Sequence, residues 1–198
     1  MKSAIGILLF VLYSQVFALD FFLGMRNDRY GFAGLSFQNK FGVALENSLL
    51  IQKSSLQYIR GALFYQFETP YFISGSYTLF SGMRYNQDFY DIGTRLALQF
   101  QPFERFRLSG ILQPFYDSDF GLNTAYFIAP EVRLLKDISA FVAFKNLPEY
   151  RHLERRFSLG LVLGTEHLNV KPEISKPLKK ENRNALTRVS VSFIYKSF

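Results

Sequence analysis

The chain has 198 residues, no cysteine and no tryptophan, and hydrophobic residues make up 48% of it. Its length allows one domain or two small ones, and a chain without cysteine gains no stability from disulfides. The formal net charge is +7, but the basic residues are dispersed singly along the chain, a distribution that argues against nucleic acid as a partner.

The first 18 residues have the three parts of a secretory signal peptide. Lys2 gives a positive start, residues 4–13 form a short apolar run, and Ala18 supplies a small residue at the cleavage site. A buried helix of the mature fold is the alternative, but it explains neither Lys2 nor Ala18. We therefore predict a signal peptide over 1–18, cleavage near Ala18, and a single domain over 19–198.

Past this leader no apolar run is long enough for a transmembrane helix, and the chain instead alternates between apolar and polar residues. Phe41, Val43 and Leu45, for example, share one face of a predicted strand, and Glu46 lies on the other. The segment 168–175 is the weakest, because Pro172 removes a hydrogen bond from the sheet. The predicted strands are 20–27, 30–38, 41–49, 56–67, 71–80, 89–100, 106–116, 124–135, 138–145, 156–165, 168–175 and 186–197.

The lengths and faces of these segments indicate strands that cross a bilayer. A tilted strand needs about 9–11 residues to do so. The apolar faces are large and aromatic, whereas the opposite faces carry charged residues, Gly, Ala and Ser, which favours a narrow enclosed interior over bulk water. The pattern predicts an all-β fold, an antiparallel up-and-down transmembrane β-barrel of about 12 strands, or 10 if two weak segments are loops.

The connections between the strands predict two different rims. Short turns flanked by aromatic residues, typical of an aromatic girdle, are predicted on one rim, and longer polar loops on the other. The predicted turns are 39–40, 68–70, 101–105, 136–137 and 165–167. The predicted loops are 51–55, 81–88, 116–123, 146–154 and 176–184.

The last segment carries a recognisable motif, because Val189, Val191, Phe193 and Tyr195 alternate with polar residues and the chain ends at Phe198. This strand resembles the C-terminal strand of Gram-negative outer-membrane β-barrel proteins, in which it is the signal read by the barrel-assembly machinery. Phe198 departs from the commonest form, since it is out of phase with the outward residues. The resemblance implies insertion by that machinery into the outer membrane, in contact with lipid and lipopolysaccharide.

Motifs for chemistry are scarce in this sequence. It contains no G-x-S-x-G, H-E-x-x-H or phosphate-binding loop. Asp117, Asp119 and His152 would form a carboxylate–histidine site if their loops converged above the barrel, but solvated loop residues are the simpler interpretation. His152 and His167 are isolated and cysteine is absent, so we expect no metal and no cofactor. A hydrolase is the least favoured of three functions.

The predicted inward faces carry more cations than carboxylates. Buried charges must be paired or hydrated, and the surplus cations therefore require water or anions even if the rest form an internal salt-bridge network. The carboxylates are Glu46, Asp91 and Glu131. The cations are Arg60, Arg95, Arg107, Arg133, Lys145, Arg188 and Lys196.

This surplus favours a narrow pore that prefers small anionic solutes. Arg95 and Arg133 are predicted to set the selectivity, each near the centre of its strand, with Asp91 and Glu131 partly neutralising them. The alternative is a structural or interaction barrel whose basic loops bind lipopolysaccharide or a surface polymer. Those loops contain residues 149–156 and 176–184.

Overall fold

The computed structural model describes residues 19–26, 30–38, 40–48, 58–84, 88–146, 154–165, 167–178 and 187–197; the predicted signal peptide lies outside these ranges. Twelve antiparallel strands within them form one closed barrel in chain order, which confirms the predicted fold. The strands are β1 (Leu19–Arg26), β2 (Tyr30–Phe37), β3 (Phe41–Ser48), β4 (Tyr58–Glu68), β5 (Ile73–Arg84), β6 (Tyr90–Phe103), β7 (Phe106–Asp117), β8 (Gly121–Leu135), β9 (Ile138–Lys145), β10 (Arg156–Gly164), β11 (Leu168–Pro177) and β12 (Arg188–Lys196). No helix in this described part is long and apolar enough to cross a membrane.

The first and last strands close the barrel. Phe22 of β1 lies opposite Lys196 of β12. Beyond the end of β12, the backbone N–H of Phe21 donates to Oγ of Ser197 over 2.9 Å, and the N–H of Ser197 donates to the carbonyl of Phe21 over 3.0 Å. Closure leaves no edge strand with unpaired backbone groups, as a barrel in hydrocarbon requires.

Three strands run at least three residues further than the sequence predicts. β5 continues to Arg84, β6 continues to Phe103, and β8 begins already at Gly121. The turn between β7 and β8 is compact for two reasons. Oδ1 of Asp117 accepts hydrogen bonds from the backbone N–H groups of Asp119 and Phe120, and Gly121 adopts a φ of 74°. The predicted connections that are therefore too long are 81–88, 101–105 and 116–123.

The segment with the proline, β11, is a full member of the barrel. Its pairing with β10 is interrupted opposite Pro172, between the pairs Gly160–Glu173 and Leu163–Val170, because proline has no N–H to donate. Its pairing with β12 continues through Pro172. The barrel thus tolerates the proline on one side of one strand, and the strand number stays even.

The outer surface of the barrel is apolar. Leu45 and Leu63, in the middle of the wall, are 61% and 58% exposed. Aromatic side chains lie near the rim that carries the short turns; the ring centroids of Phe41 and Tyr65 lie 4.8 Å apart, and Phe103 is 72% exposed. An exposed apolar band with aromatic residues at its border matches a hydrocarbon surrounding and the interface beside it.

Candidate functional site

The interior of the barrel contains a cavity of about 470 Å³, and side chains from every strand except β10 line it. The strands position these side chains by simple alternation, since every second residue points inward. On β10 the inward residue Gly160 lies beneath the ring of Phe141 and has no side chain to contribute. The candidate site is therefore the lumen itself.

All ten charged residues predicted to face the lumen occupy inward positions of their strands. Half of them line the cavity: Glu46, Arg60, Arg95, Glu131 and Lys145. The others lie on the inward face nearer to one rim or the other: Asp91, Arg107, Arg133, Arg188 and Lys196.

A buried ionic cluster connects β4 to β6. Nη2 of Arg60 lies 2.5 Å from Oδ2 of Asp91, and the hydroxyl of Tyr58 donates to the same carboxylate over 2.7 Å. Gly82 of β5 lies between the two strands, and a Cβ there would be 2.6 Å from Oδ1 of Asp91. The glycine leaves the space through which the charges of β4 and β6 meet.

A second set of charges lies on the other side of the lumen, and we call it the ionic wall: Arg107, Glu131, Lys145 and Glu173. Nη1 of Arg107 lies 3.6 Å from Oε1 of Glu131, and Lys145 forms an ion pair with Glu173. Lys145 on β9 reaches Glu173 on β11 across β10, on which Arg156 is the register partner of Lys145 and Gly160 is the register partner of Glu173. Ion pairs thus cross from β7 to β8 and from β9 to β11.

Asp91 and Glu131, which were predicted to neutralise Arg95 and Arg133 in part, form ion pairs with Arg60 and Arg107. Arg60 lies two strands away from Asp91, and Arg107 lies directly opposite Glu131 on the adjacent strand. Residues opposite one another across a sheet are closer than inward residues further along one strand.

The prediction that Arg133 lies near the centre of its strand is wrong. Arg133 is exposed, two residues before the end of β8, and so lies at the rim with the short turns. Arg95 is central in β6, where its Nε donates to Oε1 of Gln113 over 2.7 Å. Of this pair, only Arg95 lines the cavity.

Lys171 is a lumen residue that the sequence interpretation left out of the site. It lies on the inward face of β11, lines the cavity and is exposed. No carboxylate of the described residues lies within ion-pair distance of it, although Glu131 and Glu173 act on it from further away. The alternation along 168–175 already placed Lys171 on the polar face of that strand. Pro172 made this strand the least certain one, and Lys171 was therefore not included in the predicted site.

Aromatic side chains also face the lumen, contrary to the expectation that they belong to the outer face. We call Phe22, Phe32 and Phe64 the aromatic wall. The ring of Phe22 lies 6.4 Å from that of Phe32 and 5.6 Å from that of Phe64. Each ring covers an inward glycine of a neighbouring strand. The signal in the sequence was a Phe two residues before a Gly, at 22–24 and at 32–34.

The candidate catalytic residues are not brought together in the described residues. Asp117 holds the β7–β8 turn and Asp119 is an exposed residue of that turn. His152 lies outside the described ranges, as do most residues of the basic loops, so binding of lipopolysaccharide stays a prediction. No group of three potential metal ligands occurs within the described ranges.

No protein-family model matches the chain, and no curated protein matches its sequence. Among solved structures, the KdgM porin in complex with disordered oligogalacturonate matches with a TM-score of 0.59 and 15% identity, over 91% of this chain and 98% of that one. This chain shares the fold of that structure, a closed antiparallel β-barrel. The NanC porin matches with a TM-score of 0.54 and 11% identity, over 91% and 98% of the two chains. An outer-membrane channel from Pseudomonas putida F1 matches with a TM-score of 0.54 and 8% identity, over 90% of this chain and 94% of that one.

These similarities confirm, at the level of the fold, the resemblance to outer-membrane β-barrels that the last strand indicated. Val189, Val191, Phe193 and Tyr195 share the outward face of β12, whereas Phe198 lies outside the described residues. Sequence identities this low establish the architecture and no more.

Proposed function

We propose that this chain forms a narrow aqueous pore in the outer membrane of a Gram-negative bacterium and passes small solutes, anions in preference to cations. The observation that carries this proposal is Lys171, an inward cation exposed to the cavity with no carboxylate of the described residues at ion-pair distance. In a narrow passage of low dielectric, such a fixed charge concentrates ions of opposite sign. The solved structures with the same fold are named as porins or as a channel, and these names support a pore here as well.

The balance of charges within the described strands supports the anion preference. Inward cations outnumber inward carboxylates, although several of them are paired. The cations are Arg60, Arg84, Arg95, Arg107, Arg133, Lys145, Arg156, Lys171, Arg188 and Lys196, and the carboxylates are Asp20, Glu46, Glu68, Asp91, Asp117, Glu131 and Glu173.

The proposed location includes removal of the leader, so that the mature protein begins at Leu19, the first residue of β1. Fractionation of a Gram-negative host followed by N-terminal sequencing tests this. We expect the protein in the outer-membrane fraction with Leu19 at its N-terminus. Recovery of the processed protein from the soluble periplasm would contradict the location.

Planar-bilayer recording of the folded, purified protein tests the pore. In a KCl gradient the wild-type reversal potential should indicate chloride preference, and Lys171→Glu should shift it towards potassium. The shift should shrink in 1 M salt, where the Debye length is about 3 Å. The matched control is Lys176→Glu, which makes the same charge change on the outward face of the same strand.

The possible outcomes separate the parts of the proposal. If the folded wild type carries no current, the chain is not a pore. If current flows but Lys171→Glu and Lys176→Glu shift the reversal potential equally, Lys171 does not set the selectivity.

A further inference from the structure

The aromatic wall contributes apolar surface to a cavity that also contains charges. Phe22, Phe32 and Phe64 are partly exposed and line the cavity. One role of the rings is structural, since a Cβ at Gly34 would lie 2.4 Å from Cζ of Phe22 and one at Gly42 would lie 2.2 Å from Cζ of Phe64. That contact does not account for the part of each ring that remains accessible from the lumen.

Two lysines line the same cavity as these rings. The aromatic wall is on β1, β2 and β4, whereas Lys145 is on β9 and Lys171 is on β11. In the closed ring of twelve strands, β9 lies opposite β3, and β11 lies two strands from β1. A solute in the cavity therefore meets both the apolar rings and the exposed ammonium group of Lys171, which is two strands away from Phe22.

Inorganic anions use only half of such a surface, because apolar rings offer them no favourable contact. A neutral apolar solute likewise makes no use of the ammonium group of Lys171. An organic anion with an apolar ring and one carboxylate uses both the rings and the ammonium group, since aromatic rings pack favourably against one another and an ammonium–carboxylate hydrogen bond is charge-assisted. The cavity volume of about 470 Å³ lies in the range of small-molecule sites.

We infer that the lumen selects amphipathic organic monoanions, with the apolar ring on the aromatic wall and the carboxylate at Lys171. This inference rests on the proposed pore. It adds that solutes are distinguished by the apolar part that they carry and not by charge alone.

Block of the chloride current tests the inference, with benzoate, acetate or galacturonate added at neutral pH, where all three are ionised. Benzoate should block at about two- to tenfold lower concentration than acetate, the range expected of one aromatic contact. Galacturonate has a ring of similar size, but this ring is much less apolar than benzene. Its blocking concentration should therefore be similar to that of acetate.

Variants assign the two halves of the site. Phe64→Ala should remove the advantage of benzoate over acetate, and Lys171→Gln should weaken the block by both. Phe64→Leu keeps apolar bulk over Gly42 without the aromatic ring and serves where Phe64→Ala does not fold. The control is Phe157→Ala, which removes an outward ring of β10 and should leave the advantage of benzoate unchanged.

Two results would overturn the inference and differ from failure of the pore. Equal block by benzoate, acetate and galacturonate would remove the role of the aromatic wall while leaving a pore. Equal loss of the benzoate advantage in Phe64→Ala and Phe157→Ala would show an effect through the membrane or the fold. Absence of any current would contradict the proposed function itself.

Discussion

The aromatic wall and the ionic wall close opposite sides of one lumen by different physical means. On the aromatic wall, rings fill the space above inward glycines, so that the strands are held by packing. On the ionic wall, Lys145 and Glu173 form an ion pair across β10. The aromatic wall is therefore held by apolar packing, and the ionic wall is held by paired charges.

The two walls differ in how they respond to the loss of one partner. A ring that is removed leaves a void, which the surroundings fill in part. An ion that loses its partner remains charged in a poorly hydrated place, which costs more than the pair contributed. The ionic wall should accordingly be the more fragile to single changes and the more tolerant of matched double changes.

The largest expected effect is on the ionic wall. Glu173→Ala leaves Lys145, whose side chain is 8% exposed, without its carboxylate and should lower the free energy of unfolding by about 3–5 kcal/mol. The double variant Lys145→Met with Glu173→Leu should recover most of this loss. Urea unfolding in lipid vesicles, followed by circular dichroism, measures both. A Glu173→Ala protein as stable as the wild type would show that the pair is hydrated.

The second-largest loss of stability should follow from an arginine placed on the outward face of the barrel. This loss should be the same outside the aromatic wall and outside the ionic wall, because lipid covers the outer face of both. Leu45→Arg lies behind the aromatic wall and Leu161→Arg lies behind the ionic wall, and both leucines are exposed and outward. Each variant should lose about 2–4 kcal/mol, as for arginine near the bilayer midplane. The same unfolding experiment compares them, with Leu45→Ala and Leu161→Ala as controls. A loss for only one of the two arginine variants would mean that lipid does not surround the barrel evenly.

On the aromatic wall, Gly34→Ala should cost about 1–3 kcal/mol through overpacking, because the new Cβ would lie 2.4 Å from Cζ of Phe22 and 2.5 Å from the carbonyl oxygen of Val43. Gly61→Ala is the control on the outward face of β4, behind the same wall. Nothing lies within 4 Å of a Cβ at Gly61, and alanine should therefore stabilise that strand slightly. Equal unfolding midpoints for the two variants would refute the close ring–glycine contact.

The smallest effect distinguishes two buried serines beside the ionic wall. Oγ of Ser158 has no hydrogen-bond partner among the described residues, so Ser158→Ala should be neutral or slightly stabilising. Oγ of Ser175 accepts from Nε of Arg156 over 3.2 Å, and Ser175→Ala should cost about 0.5–1.5 kcal/mol. The difference between their unfolding midpoints is the measurement. A larger loss at Ser158 would reveal a partner such as an ordered water molecule.

The sequence by itself determined the number of strands and which face of each strand meets lipid. Alternation such as that of Phe41, Val43 and Leu45 against Glu46 is a local property, and its period of two follows from the geometry of a single strand. Lys171 was visible on the inward face for the same reason. Boundaries were less accurate, because a turn such as that at Asp117 depends on a side-chain hydrogen bond that no periodicity reveals.

Only the tertiary structure decided which residues meet inside the lumen. Arg60 and Asp91 are 31 positions apart, and Lys145 and Glu173 are 28 apart. Each pair comes together through the register of two strands that are not adjacent, and Arg60 meets Asp91 across Gly82 of the strand between them. Register depends on the pairing of whole strands and on the closure of the barrel, so one strand read alone gives the direction of a side chain and not its partner.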